Sequence, residues 1–117
     1  MGLLAPKLLT SSETEKLILE KTQWILSLCE PQSLVLFGSA ARGEMTEASD
    51  LDLALIFPNQ IILETARKNL YISPPTGQLW PMDLLFYTLE EFKQRVNQGG
   101  VCELIRKEGR LLSGEWS

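Results

Sequence analysis

Two short apolar runs, joined by a segment rich in small and polar residues, limit what this chain can fold into. The first, "SLVLFG", is unbroken and predicts a central strand covered on both faces. The second, "DLDLALIF", alternates, so that Asp50 and Asp52 share a face with Ala54 and Ile56. At an effective dielectric of about 20, two charges ~4 Å apart repel by roughly 4 kcal/mol. We therefore expect a counter-charge, such as a divalent cation, at the start of this strand.

Helical patterns surround these strands and predict an α/β fold. A capping-box pattern from Ser12 to Glu15 opens an amphipathic helix that Pro31 ends, and Pro58 is predicted in the first turn of the next helix. A third strand follows in "WPMDLLFYT", and then two helices in "LEEFKQRVNQ" and "VCELIRKEGRLL". This order predicts a small mixed β-sheet flanked by helices, with either parallel or antiparallel pairing of the first two strands.

Length, charge and cysteine usage indicate one small domain. The 117 residues, 44% of them hydrophobic, suit a single core, so we assign residues 1–10 to a frayed N-terminus and 11–117 to one domain. A net charge of -4 argues against extended nucleic-acid binding. Cys29 and Cys102 are isolated, and the N-terminus lacks a long uncharged apolar run, so we expect a cytoplasmic protein with reduced thiols and no membrane contact.

The chain contains no His, which restricts the chemistry open to it. Ser-His-Asp and Cys-His nucleophile systems are excluded, as are most zinc sites. Neither a Walker A loop nor a Gly-x-Gly-x-x-Gly pattern is present. Any catalysis must therefore depend on carboxylates.

The Gly38-Ser39 step is a candidate phosphate site. Gly38 tolerates backbone angles that other residues avoid, and Ser39 is predicted to cap a short helix through "AARG". The amide N–H groups of such a turn point outward together and can cradle a phosphate, which Arg42 could also reach. Taken alone, Gly-Ser at a strand end is more often an ordinary turn, and Arg42 is equally consistent with a surface residue at a helix end.

Three aspartates provide the candidate metal ligands. Asp50 and Asp52 suit Mg²⁺, which takes hard oxygen ligands and fills its remaining positions with water and substrate phosphates. Asp83 lies near the start of the third strand, on the face of Leu85 and Tyr87. Singly, these residues have plainer explanations: a turn cap, an ion-pair partner and a solvent-exposed acid. Together with a phosphate-binding turn they predict metal-assisted transfer of a phosphorus group.

The stretch "GSAARGEMTEASDLD" resembles the signature of nucleotidyltransferases with a DNA polymerase β-like fold, in which Gly-Ser is followed after ten residues by Asp-x-Asp. With "MDLLFYTLEEF" and the small size, the chain resembles the minimal nucleotidyltransferase (MNT) group over about residues 17–113.

The resemblance implies a role for each candidate residue. It implies that Gly38 and Ser39 hold the terminal phosphates of the nucleotide and that Asp50 and Asp52 bind two Mg²⁺ ions. It also implies that Asp83 completes the metal site and assists deprotonation of the acceptor hydroxyl.

MNT proteins commonly pair with HEPN-domain toxins. The resemblance therefore implies an antitoxin that transfers AMP from ATP to a tyrosine of a HEPN partner. Because 117 residues leave no room for the helical domain of larger relatives, a partner subunit or a second copy would complete the cleft. Apolar residues near the C-terminus could form that interface or close the domain's own core: Leu104, Ile105, Leu111, Leu112 and Trp116. The alternatives are an antitoxin that acts by contact alone and a small metal-binding scaffold.

Overall fold

The structure, a computed structural model, describes residues 5–116. Its elements follow in the order α1 (Ser11–Leu28), β1 (Ser33–Phe37), β2 (Leu51–Phe57), α2 (Gln60–Ile72), β3 (Met82–Thr88), α3 (Leu89–Arg95), α4 (Val101–Glu108) and β4 (Arg110–Gly114). The strands form one sheet in the order β3-β2-β1-β4. The β2–β3 pair is parallel, whereas β1 is antiparallel to both β2 and β4. This architecture confirms the predicted small mixed sheet flanked by helices.

The sheet is covered on both faces, which explains the unbroken apolar character of its central strands. Helices α1 and α2 pack against the face that carries Leu34 and Leu53. Helices α3 and α4 pack against the opposite face, which carries Val35 and Ala54. Because side chains alternate along a strand, Asp52 lies on the α3/α4 face. No helix between residues 5 and 116 is long and apolar enough to cross a membrane.

Strand β4 is where the prediction from sequence was wrong. The helix predicted through "VCELIRKEGRLL" ends at Glu108, and the rest of that segment pairs with β1. At Gly109 a Cβ atom would overlap the Ile105 carbonyl oxygen and crowd a Val35 methyl group, so only glycine fits where the chain leaves α4. Strand β4 is stabilised by pairing with β1, which lies about 75 residues earlier in the chain. The local periodicity of the sequence does not indicate such a long-range pairing.

The chain before α1 is held to the loop that precedes Asp50. Leu8 forms an isolated antiparallel bridge with Thr46, and the Leu9 N–H donates to the Met45 carbonyl. The predicted frayed segment is thus too long, since residues 7–10 are hydrogen-bonded, while residues 1–4 lie outside the described range. Thr10 is consequently the N-cap of α1, two residues before the predicted Ser12.

Two further helix boundaries differ from the prediction. Asn59, not Pro58, lies at the start of α2, where its side chain accepts from the Ile62 N–H. Helix α3 ends at Arg95, before the end of the helix predicted in "LEEFKQRVNQ". A capping box from Thr88 to Glu91 opens α3, with both of its hydrogen bonds present.

The two cysteines and the C-terminal apolar residues have mixed burial. Both thiols are free; Cys102 is buried and Cys29 is half-buried.

Of the apolar residues considered for an interface, Ile105 is fully buried, whereas Leu104 and Trp116 are exposed. Leu111 and Leu112 are half-buried and pack against opposite faces of the sheet. Closure of the domain's own core therefore accounts for part of this set only.

Candidate active site

The strand pairing brings the candidate residues to one end of the sheet. Asp52 and Asp83 are direct partners across the parallel β2–β3 pair, so they lie side by side on the same face. Phe37, which precedes Gly38, is the partner of Asp52 across the β1–β2 pair. Asp50 lies just before β2. These three aspartates are the only ones in the chain. Asp52 lies against the Gly38 turn (Gly38-Ser39), and Asp83 lies on the other side of Asp52, on β3.

Gly38 lies directly against the Asp52 carboxylate. Its φ angle is +74°, in the left-handed region that favours glycine. A Cβ atom at this position would overlap the Asp52 Oδ2 atom and lie 3.1 Å from Cγ. Glycine is therefore required on two grounds, the backbone angle and the close approach of the carboxylate.

The segment after Gly38 is a series of turns and not the predicted short helix. The Arg42 N–H donates to the Gly38 carbonyl at 3.2 Å, and the Glu44 N–H donates to the Ser39 carbonyl at 2.9 Å. The half-buried Ser39 side chain makes no hydrogen bond to any residue from 5 to 116, so its predicted capping role is wrong. No hydrogen bond to the described residues therefore competes with a ligand for the Ser39 hydroxyl.

A fourth acidic residue, which the sequence analysis missed, completes this cluster. The Gly38 N–H donates to Glu108 Oε1 at 2.9 Å, and Arg42 Nη1 donates to both Glu108 oxygens at 3.0 and 3.2 Å. Glu108 is the last residue of α4, seventy residues along the chain. The sequence around Glu108 does not by itself indicate that this residue contacts Gly38. The one available signal is an acidic side chain at a helix C-terminus, where the helix dipole disfavours an anion unless a cation is near.

The electrostatics of the site favour a bound cation. Burial raises the pKa of Asp52, and repulsion from Asp83 and from Asp50 raises it further, with Arg42 opposing the shift. Asp52 is thus near enough to Asp83 and to Asp50 to be repelled by each, and hard carboxylate oxygen atoms are the ligands that Mg²⁺ takes. The donor chemistry fits Mg²⁺. As the side chains are placed, however, no three carboxylate or thiol groups within residues 5–116 converge as a metal-binding set.

Hydrogen bonds fix the two segments that carry the outer aspartates. Trp80 Nε1 donates to the Ser49 carbonyl at 2.9 Å, immediately before Asp50. The Leu51 N–H donates to the Pro81 carbonyl at 2.9 Å, two residues before Asp83. The start of β2 and the start of β3 are therefore joined through the loop as well as through the sheet.

Comparison with known proteins identifies the family. A sequence model described as a nucleotidyltransferase domain matches residues 15–112. The chain belongs to this nucleotidyltransferase domain family. A solved structure of a candidate nucleotidyltransferase from Sulfolobus solfataricus has the same fold, with a TM-score of 0.53 at 20% identity, covering 88% of this chain and 82% of that one. No curated protein sequence matches. The nucleotidyltransferase family thus agrees with the fold, and the matched range includes Gly38, Asp52 and Asp83.

Proposed function

We propose that this nucleotidyltransferase domain uses Mg²⁺ and ATP to transfer AMP to a hydroxyl group, and that the acceptor is a tyrosine of a HEPN-domain toxin. The protein would then act as an antitoxin. The observation that carries the transfer reaction is the position of Asp52, which lies between the Gly38 turn and Asp83. The AMP, tyrosine and HEPN parts of the proposal rest on the resemblance to MNT proteins.

Each site residue has a role in this reaction. The Gly38 turn, the Ser39 hydroxyl and Arg42 bind the β- and γ-phosphates, whereas Asp50 and Asp52 hold the ions. Mg²⁺, when bound, neutralises the phosphates and lowers the pKa of the acceptor hydroxyl. Asp83 accepts the proton from that hydroxyl. The acceptor oxygen then forms a bond to the α-phosphorus, the bond between this phosphorus and the bridging oxygen breaks, and pyrophosphate leaves.

The exposure of the outer carboxylates supports a partner that completes the cleft. Asp50 and Asp83 are both exposed to solvent, whereas Asp52 is partly covered. An open carboxylate edge leaves one side of the reacting groups in water, and exclusion of water strengthens the electrostatic interactions in a transfer site. A HEPN partner that presents its tyrosine here would supply both the acceptor and the missing wall.

The first prediction concerns Asp52→Asn. Loss of one charge with little change in volume should lower AMP transfer at least about 100-fold, because Asn holds a metal ion poorly. The HEPN partner is incubated with ATP, Mg²⁺ and catalytic amounts of antitoxin, and its mass is then measured. Glu30→Gln, which neutralises an exposed carboxylate between α1 and β1, should transfer AMP at the normal rate. A normal rate for Asp52→Asn would overturn the mechanism.

The same assay separates the alternatives. Neutralisation of the toxin only at a stoichiometric ratio, without a change in mass, would mean an antitoxin that acts by contact. Stabilisation of the fold by Mg²⁺ alone, with no further effect of ATP, would mean a metal-binding scaffold.

A further inference from the structure

We propose that the Glu108 carboxylate occupies a phosphate position of the Gly38 turn and has to leave it when a triphosphate binds, so that Glu108 sets the nucleotide affinity of the site. This inference rests on the proposed function and concerns the affinity of that same site for phosphate.

The hydrogen bonds of Glu108 are those of a phosphate ligand. A backbone N–H of a glycine turn and an arginine guanidinium together form the donor set that recognises phosphate oxygens. Here the Gly38 N–H and Arg42 Nη1 both donate to Glu108, at 2.9 Å and at 3.0 Å from Oε1. These are the same two donors that the proposed reaction assigns to the nucleotide. A donor hydrogen atom that is already bound to the carboxylate is not available to a phosphate.

The surroundings of Glu108 make this carboxylate replaceable. It lies at the C-terminus of α4, where the helix dipole disfavours a negative charge. Asp52, another acid, lies against the same Gly38 residue. Arg42 is the cation that pairs with Glu108 among the residues of the described range. A magnesium-bound triphosphate brings its own counter-ions and is therefore partly neutralised. When it binds, it takes the place of a carboxylate that the helix dipole disfavours.

The side chain has to move for this exchange. The Glu108 side chain is only 18% exposed, compared with 43% for Arg42. Since Glu108 is the last residue of α4 and precedes Gly109, its side chain can rotate outward without breaking the helix. The apparent affinity for nucleotide then equals the intrinsic affinity multiplied by the fraction of molecules in which the carboxylate has left.

The test compares Glu108→Gln with the wild type and with Glu15→Gln. Glu15 pairs with Arg110 through two hydrogen bonds of 2.6 and 2.8 Å and extends from α1, on the other face of the sheet, so its variant removes the same charge from an arginine pair outside the site. Dissociation constants for Mg²⁺-ATP and for inorganic triphosphate are measured by calorimetry. We expect Glu108→Gln to bind both about tenfold more tightly than the wild type, with Glu15→Gln unchanged.

Unchanged or weaker binding of both probes by Glu108→Gln would overturn the proposal, because Glu108 would then only hold the turn in place. Failure of the inference and failure of the proposed function remain distinguishable. If no protein binds Mg²⁺-ATP but Glu108→Gln alone binds inorganic triphosphate, the phosphate position is supported and the nucleotide function is not. If no variant binds either probe, both are rejected.

A second measurement on the wild-type protein does not depend on the folding of any variant. The side-chain carboxyl carbon of Glu108 is observed by NMR during titration with inorganic triphosphate. We expect its resonance to shift together with the amide resonance of Gly38 as the ligand replaces the carboxylate. Saturation of the protein with triphosphate while the Glu108 resonance stays in place would overturn the proposal.

Discussion

At the scale of single residues, Gly38 and Asp52 depend on each other. The left-handed backbone of Gly38 turns the chain out of β1, and the missing side chain leaves the space that the Asp52 carboxylate fills. A larger residue would therefore affect both the exit of the chain from β1 and the position of Asp52, the proposed metal ligand. The packing of the strand end thus requires glycine at this position, whether or not a phosphate is bound.

Gly38→Ala should therefore abolish transfer and lower the free energy of unfolding by about 1–3 kcal/mol, through left-handed backbone strain and overlap with Asp52. Gly43→Ala is the matched control. Gly43 has a φ of +72°, but a Cβ atom there would meet nothing within 4 Å. We expect Gly43→Ala to lower the free energy of unfolding through left-handed backbone strain alone, and to leave the transfer rate unchanged. Equal rates for the two variants in the mass assay would contradict a close approach at Gly38.

At the scale of elements, a buried lysine ties the loop between α2 and β3 to α1. The Lys21 side chain is fully buried, and Nζ donates to the Thr76 carbonyl at 2.9 Å and to the Gln78 carbonyl. Its charge is compensated by Glu20, 3.1 Å away. This loop leads directly into the segment that carries Trp80 and Asp83. The position of Asp83, the proton acceptor of the proposed reaction, thus depends on a contact on the far face of the sheet.

Lys21→Met keeps the length of this side chain but removes the donors, so the two carbonyl groups and Glu20 lose their partner. We expect a loss of about 2 kcal/mol in the free energy of unfolding, together with slower transfer. Lys16→Met, an exposed position on the same helix, should change stability by less than ~0.5 kcal/mol. Urea unfolding followed by circular dichroism measures both. A Lys21→Met variant as stable as Lys16→Met would contradict the proposal that Lys21 holds the α2–β3 loop to α1.

At the scale of the whole molecule, the site lowers the stability of the ligand-free fold. The pKa of Asp52 is raised by burial and by its acidic neighbours, so the folded protein binds a proton there more tightly than the unfolded chain does. The ionised carboxylate consequently destabilises the fold at neutral pH, and this cost disappears as the pH falls through the raised pKa. A bound cation would remove the same cost.

In EDTA near pH 7, Asp52→Asn should therefore unfold at a higher temperature than the wild type, by roughly 3 °C at most, because solvent screens part of the repulsion at this partly covered carboxylate. The difference should shrink at acidic pH, as the pH falls through the raised pKa of Asp52. Mg²⁺ should stabilise the wild type and have less effect on the variant. Differential scanning calorimetry at both pH values measures this. A lower unfolding temperature for Asp52→Asn at neutral pH would show that the carboxylate stabilises the fold.

The sequence alone determined the features that depend on neighbouring residues. Alternation in "DLDLALIF" placed Asp52 on the face of Ala54, and unbroken apolar character marked β1 as a covered strand. The ten-residue spacing between Gly-Ser and Asp-x-Asp was sufficient to indicate the family that the later comparison identified. These features can be recognised in the sequence because side chains alternate between the two faces of a strand every two residues, and because the residues of the motif lie close together along the chain.

Only the tertiary structure decided which distant residues meet. The strand β4, the contact of Glu108 with Gly38 and the burial of Lys21 all join segments at least 55 residues apart. Such contacts are selected by packing and by the need to pair buried polar groups, and neither leaves a periodic trace in the local sequence. The nucleotidyltransferase family could therefore be predicted from a motif along the chain, whereas the contact of Glu108 with the Gly38 N–H and with Arg42 could not.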